Sequence, residues 1–391
     1  MTLAVLDTWQ ALMSPRWQAL RDAAATVDAG DVSAVAHLRR LAPPNLVTAA
    51  LQLAAGRRSA AGKFPASGDL VLDDAGAQQA SSSAVAAWKA KRFVEQLEPA
   101  ATVIDLCCGI GGDARALAAA GLHVLAVDRE PVRAWMAKCN AHCATAAADV
   151  TQLRLAGLPF HIDPARRNAR GRVWRIADYQ PGLTFLRRLL AASPDGGMKL
   201  SPGVDREEAD ALAPGAELEF ISEAGRLVQA VLWTGKLRRA VRSATMVTDH
   251  ATHTLQGSPA AHPLQFAPPG RYLFTMNASV ERAELMGLLA QQLNTWLVHP
   301  HWGLLSADQI VSSPWTQAFE LFAELPWRPK KVRQWLDSHD GGIVEVKTRG
   351  KAIDPDLAQA QLRGRGDSSY TVFVLRQHEQ KVALITRRAD R

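Results

Sequence analysis

The chain has 391 residues, 48% hydrophobic and 21% charged, a balance that excludes disordered and fibrous proteins and leaves room for two or three globular domains. Its formal charge of +7 and pI near 9.4 favour polyanionic partners, nucleic acid first, although an excess of this size also occurs in proteins that bind none. The opening segment Met1-Thr-Leu-Ala-Val-Leu-Asp7 has no basic stretch and meets an acid early, and no apolar run reaches bilayer length, so neither signal peptide nor membrane span is expected and the predicted location is cytoplasmic.

Residues 1–100 read as a helical region, with Ala-rich amphipathic stretches over Leu6–Leu12, Val32–Leu41, Val47–Ala55 and Gln78–Leu97. The basic segment Arg57-Arg-Ser-Ala-Ala-Gly-Lys-Phe64 between them reads as a solvated connector in preference to a substrate-facing edge. Over 101–249 strands and helices alternate, which predicts a Rossmann-like, doubly wound α/β domain. Its strands are Thr102–Leu106, His123–Asp128, Ala144–Asp149, Phe160–Asp163 and Gly197–Leu200, with helices near Asp113–Ala120, Pro131–His142 and Gly182–Ala192. Two alternating runs, Glu217–Ser222 and Arg226–Trp233, are joined by too few residues for a crossover helix. They predict an antiparallel hairpin closing the sheet, the topology of class I methyltransferases.

A Pro- and His-rich stretch over 250–270 reads as a linker. Residues 271–391 then form a small α+β domain: a strand at Arg271–Met276, a helix at Glu281–Leu297, a tryptophan-punctuated helical part to about Leu336, and strands at Gly342–Lys347, Tyr370–Arg376 and Val382–Thr386 with a helix at Pro355–Leu362. The tryptophans at 296, 302, 315, 327 and 335 are spaced for packing more than for base stacking.

The chemistry concentrates at Val103-Ile-Asp-Leu-Cys-Cys-Gly-Ile-Gly-Gly-Asp113 followed by Val124-Leu-Ala-Val-Asp128. This is a strand, a glycine-rich turn, a helix and a second strand ending in a carboxylate, the pattern of an adenosine-cofactor site, with Asp128 about twenty residues on, where a ribose-binding acid belongs. Asp105 just before the turn would repel a pyrophosphate and suits a cation. The expected cofactor is therefore S-adenosylmethionine. Asp105 is the expected contact to the methionine end, Gly109 and Gly111 are close-approach positions, Asp113 adds negative charge, Asp128 accepts from the ribose and Asp149 from the adenine amino group. Cys107 and Arg129, adjoining these positions, join the predicted cofactor set.

The fourth strand ends at Asp163-Pro-Ala-Arg-Arg-Asn-Ala-Arg-Gly-Arg172. Ligands of open α/β sheets lie outside the strands' carboxyl ends, so Asp163 is expected beside the methyl group, holding or deprotonating a nucleophile, with Pro164 and Arg166 as its catalytic neighbours. Arg166, Arg167, Arg170 and Arg172 are candidate phosphate clamps; the competing reading is a solvated charge run. Transfer to a pyrimidine C5 needs a covalent cysteine adduct, and Lys199-Leu-Ser-Pro-Gly203 after the fifth strand carries no cysteine. The four cysteines, at 107, 108, 139 and 143, form no CxxC pair and no metal is expected; they read as reduced thiols.

Several stretches together resemble bacterial class I S-adenosylmethionine-dependent methyltransferases with a THUMP-like C-terminal domain, over nearly the whole chain. They are Asp105-Leu-Cys-Cys-Gly-Ile-Gly-Gly-Asp113, Asp163-Pro-Ala-Arg-Arg167, Lys199-Leu-Ser-Pro-Gly203, Leu232-Trp-Thr-Gly235, Glu345-Val-Lys-Thr-Arg-Gly350 and Leu384-Ile-Thr-Arg-Arg388. THUMP domains are RNA-binding modules of tRNA-modifying enzymes, so the resemblance implies an RNA substrate, tRNA or rRNA. Cys107-Cys-Gly-Ile-Gly-Gly-Asp113 is similar to the loop of cap-hypermethylating guanosine N2 enzymes, and Asp163-Pro-Ala-Arg166 to that of RNA 5-methyluridine enzymes. The chain lacks the Pro-Pro-aromatic continuation of the first and the catalytic cysteine of the second. In the C-terminal domain, basic residues including Lys347 and Arg349 are expected to track an RNA backbone. The expected function is direct methyl transfer to a nitrogen or oxygen of RNA; the alternatives are a protein or small-molecule methyltransferase, or a non-catalytic RNA-binding protein retaining the cofactor fold. Nothing in the sequence sets an oligomeric state.

Overall fold

The computed structural model describes residues 2–28, 30–154, 157–165, 167–168, 171–172, 175–349 and 352–389. The chain divides into two compact units, one comprising Met1–Glu223 with Val228–Val241 and the other Ala224–Leu227 with Arg242–Arg391.

The first unit opens with helices α1 (Thr2–Met13), α2 (Gln18–Ala25), α3 (Val32–Leu41), α4 (Pro44–Ala60), α5 (Asp74–Gln79) and α6 (Ser83–Gln96). Their starts are written locally: the side chains of Asp31, Asp73 and Ser82 accept from Ala34, Gly76 and Val85 N–H groups at the N-termini of α3, α5 and α6. The basic segment at the end of α4 is not a free connector. Lys63 Nζ donates to the carbonyls of Ala77, Gln78 and Ala80, which ties down the C-terminal end of α5, and Phe64 is buried. These helices share a core (Leu12, Leu38, Leu53, Leu72) with Ile110, Val132 and Met136 of the domain that follows.

That domain contains β1 (Thr102–Leu106), α7 (Gly112–Ala119), β2 (His123–Asp128), α8 (Pro131–Ala141), β3 (Ala144–Ala147), β4 (Phe160–Ile162), the two-residue strands β5 (Arg167–Asn168) and β6 (Gly171–Arg172), α9 (Leu183–Ala192), β7 (Gly196–Leu200), α10 (Arg206–Leu212), β8 (Glu217–Glu223) and β9 (Arg226–Thr234). Strands run in the order β8-β9-β7-β4-β1-β2-β3. The pairs β7·β4, β4·β1, β1·β2 and β2·β3 are parallel, and β9 returns antiparallel to β7. Covered on both faces, β7 is buried at every position. Ala224 and Gly225, both at positive φ (46° and 75°), make the tight turn from β8 to β9, as a hairpin whose turn matches the strand twist requires. The expected class I methyltransferase fold with its closing hairpin is thus observed.

The second unit contains β10 (Arg242–Val247), β11 (Thr252–Gly257), β12 (Tyr272–Met276), α11 (Ala278–Arg282), α12 (Met286–Leu293), β13 (Trp296–Leu297), β14 (Leu304–Ala307), β15 (Thr316–Pro326), α13 (Pro329–Ser338), β16 (Gly341–Thr348), α14 (Pro355–Leu362), β17 (Ser368–Gln377) and β18 (Gln380–Arg388). A seven-stranded sheet runs β13-β14-β12-β15-β18-β17-β16, with Val332, Leu336, Leu362, Val372 and Ile385 in one core.

Three sequence expectations change here. Part of the expected linker is strand β11, paired antiparallel with β10. The expected helix at Glu281–Leu297 is broken where Glu284 and Asn294 take left-handed backbone, φ 59° and 52°. The expected helical part before Leu336 contains β14 and β15; Glu and Leu in Thr316–Pro326 suit a helix, but pairing with β12 on one side and β18 on the other overrides that preference.

Candidate active site

The chain leaves β1 for β2 and β3 on one side, then crosses back to β4 and β7 on the other, so the topological switch falls between β1 and β4. The crevice for a ligand lies there, outside the strands' carboxyl ends. It is bordered by Cys107–Gly109 after β1, Asp128 at the end of β2, and Asp163 and Pro164 after β4.

The glycine loop is held by the second strand's terminal acid. Asp128 Oδ2 accepts from Gly109 N and Oδ1 from Glu130 N, both at 2.9 Å. A carboxylate has about four lone-pair sites, so two acceptor positions remain on Asp128. Burial pushes its carboxyl up, against the two N–H bonds that pull it down. Gly109 (φ +56°) borders open space, with no atom within 4 Å of a Cβ placed there. Gly111 (φ +81°) does not: its Cβ would lie 2.8 Å from Ala137 Cα on α8. Gly109 thus faces open space, whereas Gly111 lets helix α8 pack closely, so the two do not share the close-approach role expected for both.

A buried polar network lies at the foot of this loop. Asp105, 1% exposed, is opposite His161 in the β1·β4 register, and His161 Nδ1 is 2.7 Å from Asp105 Oδ1. Lys89 from α6 places Nζ 2.6 Å from Asp113 Oδ1, 3.2 Å from Ser81 Oγ and 3.3 Å from His161 Nε2. An ammonium has three protons and only donates, so Nε2 accepts and the Nδ1–H of His161 donates to Asp105. Burial raises the Asp113 carboxyl, but the charges of Lys89 first and Lys199 after it outweigh the burial and hold the group well below the usual carboxylate range. Asp113, expected to add negative charge near the loop, is therefore the buried ion-pair partner of Lys89. Asp105 has no cation of its own; burial pushes its carboxyl up against the pull of His161, and its Oδ2 is buried without a hydrogen-bond partner among the described residues. Asp105, the expected contact to the methionine end, is thus enclosed under the loop with one carboxylate oxygen unpartnered among the described residues. Lys89, Ser81 and His161 carry no mark in the sequence: Ser81 is one of three consecutive serines and Lys89 stands beside Lys91 and Arg92.

Across the crevice, Asp163 Oδ2 accepts from Lys199 Nζ at 2.6 Å, and Lys199 also reaches Gln79 O at 3.3 Å. The Asp163 side chain is 25% exposed and its Oδ1 makes no hydrogen bond among the described residues. Pro164 is buried. Ala165 and Gln180 form an antiparallel bridge closing the base of a small hairpin in which Arg167 and Arg172 are backbone partners. Arg166 and Arg170 lie outside the described residues.

Cys107 reports the electrostatics of the crevice. Its thiol is pushed well above the ordinary range, first by burial and then by Asp128, Asp163 and Asp105, with Arg129 opposing. Three carboxylates thus converge on one point at the switch, a field that suits a cationic ligand and leaves no thiolate for covalent attack. Asp149 is exposed after β3, its Oδ1 accepting from Thr151 N and Oγ1, which lowers its carboxyl; Arg129 is exposed. Among the described residues no group of three His, Cys, Asp or Glu side chains could hold a metal, and no helix is long and apolar enough to cross a membrane.

Two proteins of Mycobacterium tuberculosis, from strains CDC 1551 / Oshkosh and ATCC 25618 / H37Rv, are each described as an uncharacterized S-adenosylmethionine-dependent methyltransferase. They are 30% identical to this chain over 335 residues, spanning 82% of it and 90% of their own length. The chain belongs to this family of S-adenosylmethionine-dependent methyltransferases. Residues 316–388 of the methyltransferase match the THUMP domain-like family. The crystal structure of a candidate methyltransferase from Porphyromonas gingivalis W83 shares the fold, with a TM-score of 0.73 over 99% of this chain and 98% of that one at 16% identity.

The methyltransferase's own residues fit its cofactor. The open side of Gly109, the spare acceptor positions of Asp128 and the negative field at Cys107 together match a cationic adenosine ligand. In the second unit, the expected backbone contacts are occupied: Lys347 Nζ is 3.1 Å from Glu345 Oε1, and Arg349 grips both Glu281 oxygens at 3.0 and 2.6 Å.

Proposed function

We propose that this methyltransferase transfers the methyl group of S-adenosylmethionine directly to a nitrogen or oxygen of RNA, tRNA or rRNA. The observation that carries the RNA reading is the THUMP domain-like match over residues 316–388 in the same chain as the methyltransferase fold. The cofactor supplies a methyl group already activated by its sulfonium, so aligning the acceptor is most of the work. Gly109 and Asp128 receive the adenosine end, with Arg129 and Asp149 flanking it on the side of β2 and β3. Lys199 takes one oxygen of Asp163, leaving Oδ1 to accept an N–H or O–H proton of the substrate at the crevice. Pro164 fixes the chain direction after Asp163, and the arginines that follow it in the sequence, Arg166, Arg167, Arg170 and Arg172, supply phosphate contacts. The elevated thiol of Cys107 disfavours a route through a cysteine adduct.

Mass spectrometry of nucleosides from total RNA of a deletion strain and its parent tests this. One modification missing in the deletion strain, restored by purified protein with cofactor, is expected. Identical profiles from both strains would remove RNA as the substrate.

A further inference from the structure

The second unit carries an aromatic and cationic strip that none of these roles uses. Phe322 sits at the bulge of β15, where the register with β18 shifts between Leu321 and Ala323, and it is 44% exposed. A bulge re-aims the side chain it displaces, here an apolar ring turned to solvent. The Arg387 guanidinium lies 5.4 Å from the Phe322 ring centroid and 4.9 Å from that of Tyr370, and its Nη2 donates to Tyr370 Oη at 2.9 Å. Tyr370 in turn meets Trp335 edge-on at 5.6 Å, and Trp335 stacks on the exposed His339 at 3.8 Å with planes 8° apart. The rings and the guanidinium plane are therefore fixed before any ligand arrives. Arg328, Lys330 and Lys331 at the start of α13, the opposite end of that helix from His339, whose carbonyl accepts from Tyr370 Oη at 3.0 Å, are exposed and form no ion pair among the described residues, whereas Lys347 and Arg349 are paired.

We infer that this strip is a stacking surface for unpaired bases of single-stranded RNA, with Phe322 and the Arg387 plane as the platform and the α13 cations meeting the phosphates. Preoriented aromatic and guanidinium planes with free cations about one helix length, roughly 15 Å, along the surface suit sequence-tolerant recognition of a run of unpaired nucleotides; duplex RNA, its bases already stacked, offers such planes nothing. The inference rests on the RNA reading above and gives it a location.

The test uses the full chain and fluorescence anisotropy with a labelled oligouridylate and a labelled RNA duplex. Phe322→Ala and Arg387→Gln are each expected to weaken oligouridylate binding about fivefold or more, with little change on the duplex, and Phe322→Trp to restore it. Wild-type binding that both variants leave unchanged overturns the stacking surface while the RNA reading stands. Failure of the wild type to bind either RNA removes the RNA reading itself. A wild-type dimer in sedimentation velocity that Phe322→Ala converts to monomer overturns the inference by assigning the strip to contact between copies of the chain.

Discussion

Lys89 and Asp113 form a buried ion pair, 2.6 Å apart, that joins helix α6 to the first turn of α7 directly behind the glycine loop. The helical N-terminal region is therefore part of the cofactor site's foundation, and the pair makes its own stability prediction. Lys89→Met leaves Asp113 buried without its cation and is expected to cost about 3–5 kcal/mol, read as a lowered midpoint in urea unfolding. Lys89→Met combined with Asp113→Asn should recover part of the loss; equal destabilisation by the single and double variants would show that the pair is not coupled.

The same pair sets an acid limit. Asp113 is held below the usual carboxylate range in the folded protein, so its contribution is fully present above its unfolded value, about pH 4, and is lost as pH falls through the folded value. The stability difference between wild type and Asp113→Asn, followed by circular dichroism, should be largest near neutral pH and shrink steadily below about pH 4. A difference independent of pH would contradict the depressed carboxyl.

Gly109 and Gly111 should respond differently to alanine. At Gly111 the new Cβ meets Ala137 of α8 in a left-handed backbone, and a loss of roughly 2–4 kcal/mol of stability is expected. At Gly109 only the backbone penalty of about 1–2 kcal/mol applies, and the larger effect should be on cofactor affinity, read by calorimetry with S-adenosylhomocysteine. Equal effects of the two variants on both measurements would remove the distinction.

Asp128 and Asp163 should separate binding from transfer. Asp128→Ala removes the acceptor of Gly109 N and Glu130 N as well as the proposed ribose contact, and is expected to weaken cofactor binding about tenfold to a hundredfold. Asp163→Asn should reduce methyl transfer to RNA from the deletion strain by about a hundredfold or more with a much smaller change in cofactor affinity. Full transfer activity in Asp163→Asn would displace that residue from the reaction.

The cysteines should be inert. With the Cys107 and Cys108 thiols pushed up chiefly by burial, iodoacetamide at neutral pH is expected to label them slowly in the native protein and quickly in urea, by intact mass. Cys107→Ala should retain methyl transfer; abolished transfer together with a trapped covalent RNA adduct would reinstate the covalent route.

By itself the sequence determined the parallel core strands, the glycine turn, the place of Asp128 and the closing hairpin. Each is encoded within a few residues, by β-branched runs, glycines and turn length, and the bounds of β1, β2 and α14 agree with expectation to the residue. Only the tertiary structure decided which charges are free. Lys89 and His161 are 72 residues apart and Lys199 and Gln79 are 120 apart, and no local pattern marks a partner brought in across the sheet. That assembly encloses Asp105, turns Asp113 into a buried counterion, commits Gly111 to helix packing and occupies Lys347 and Arg349 with Glu345 and Glu281. It also made a strand of Thr316–Pro326, because a segment flanked by two partner strands gains more from ladder bonds than its helix preference loses. Sequence thus supplied the loop and the acids around the crevice, and packing decided which of them still have an acceptor to offer.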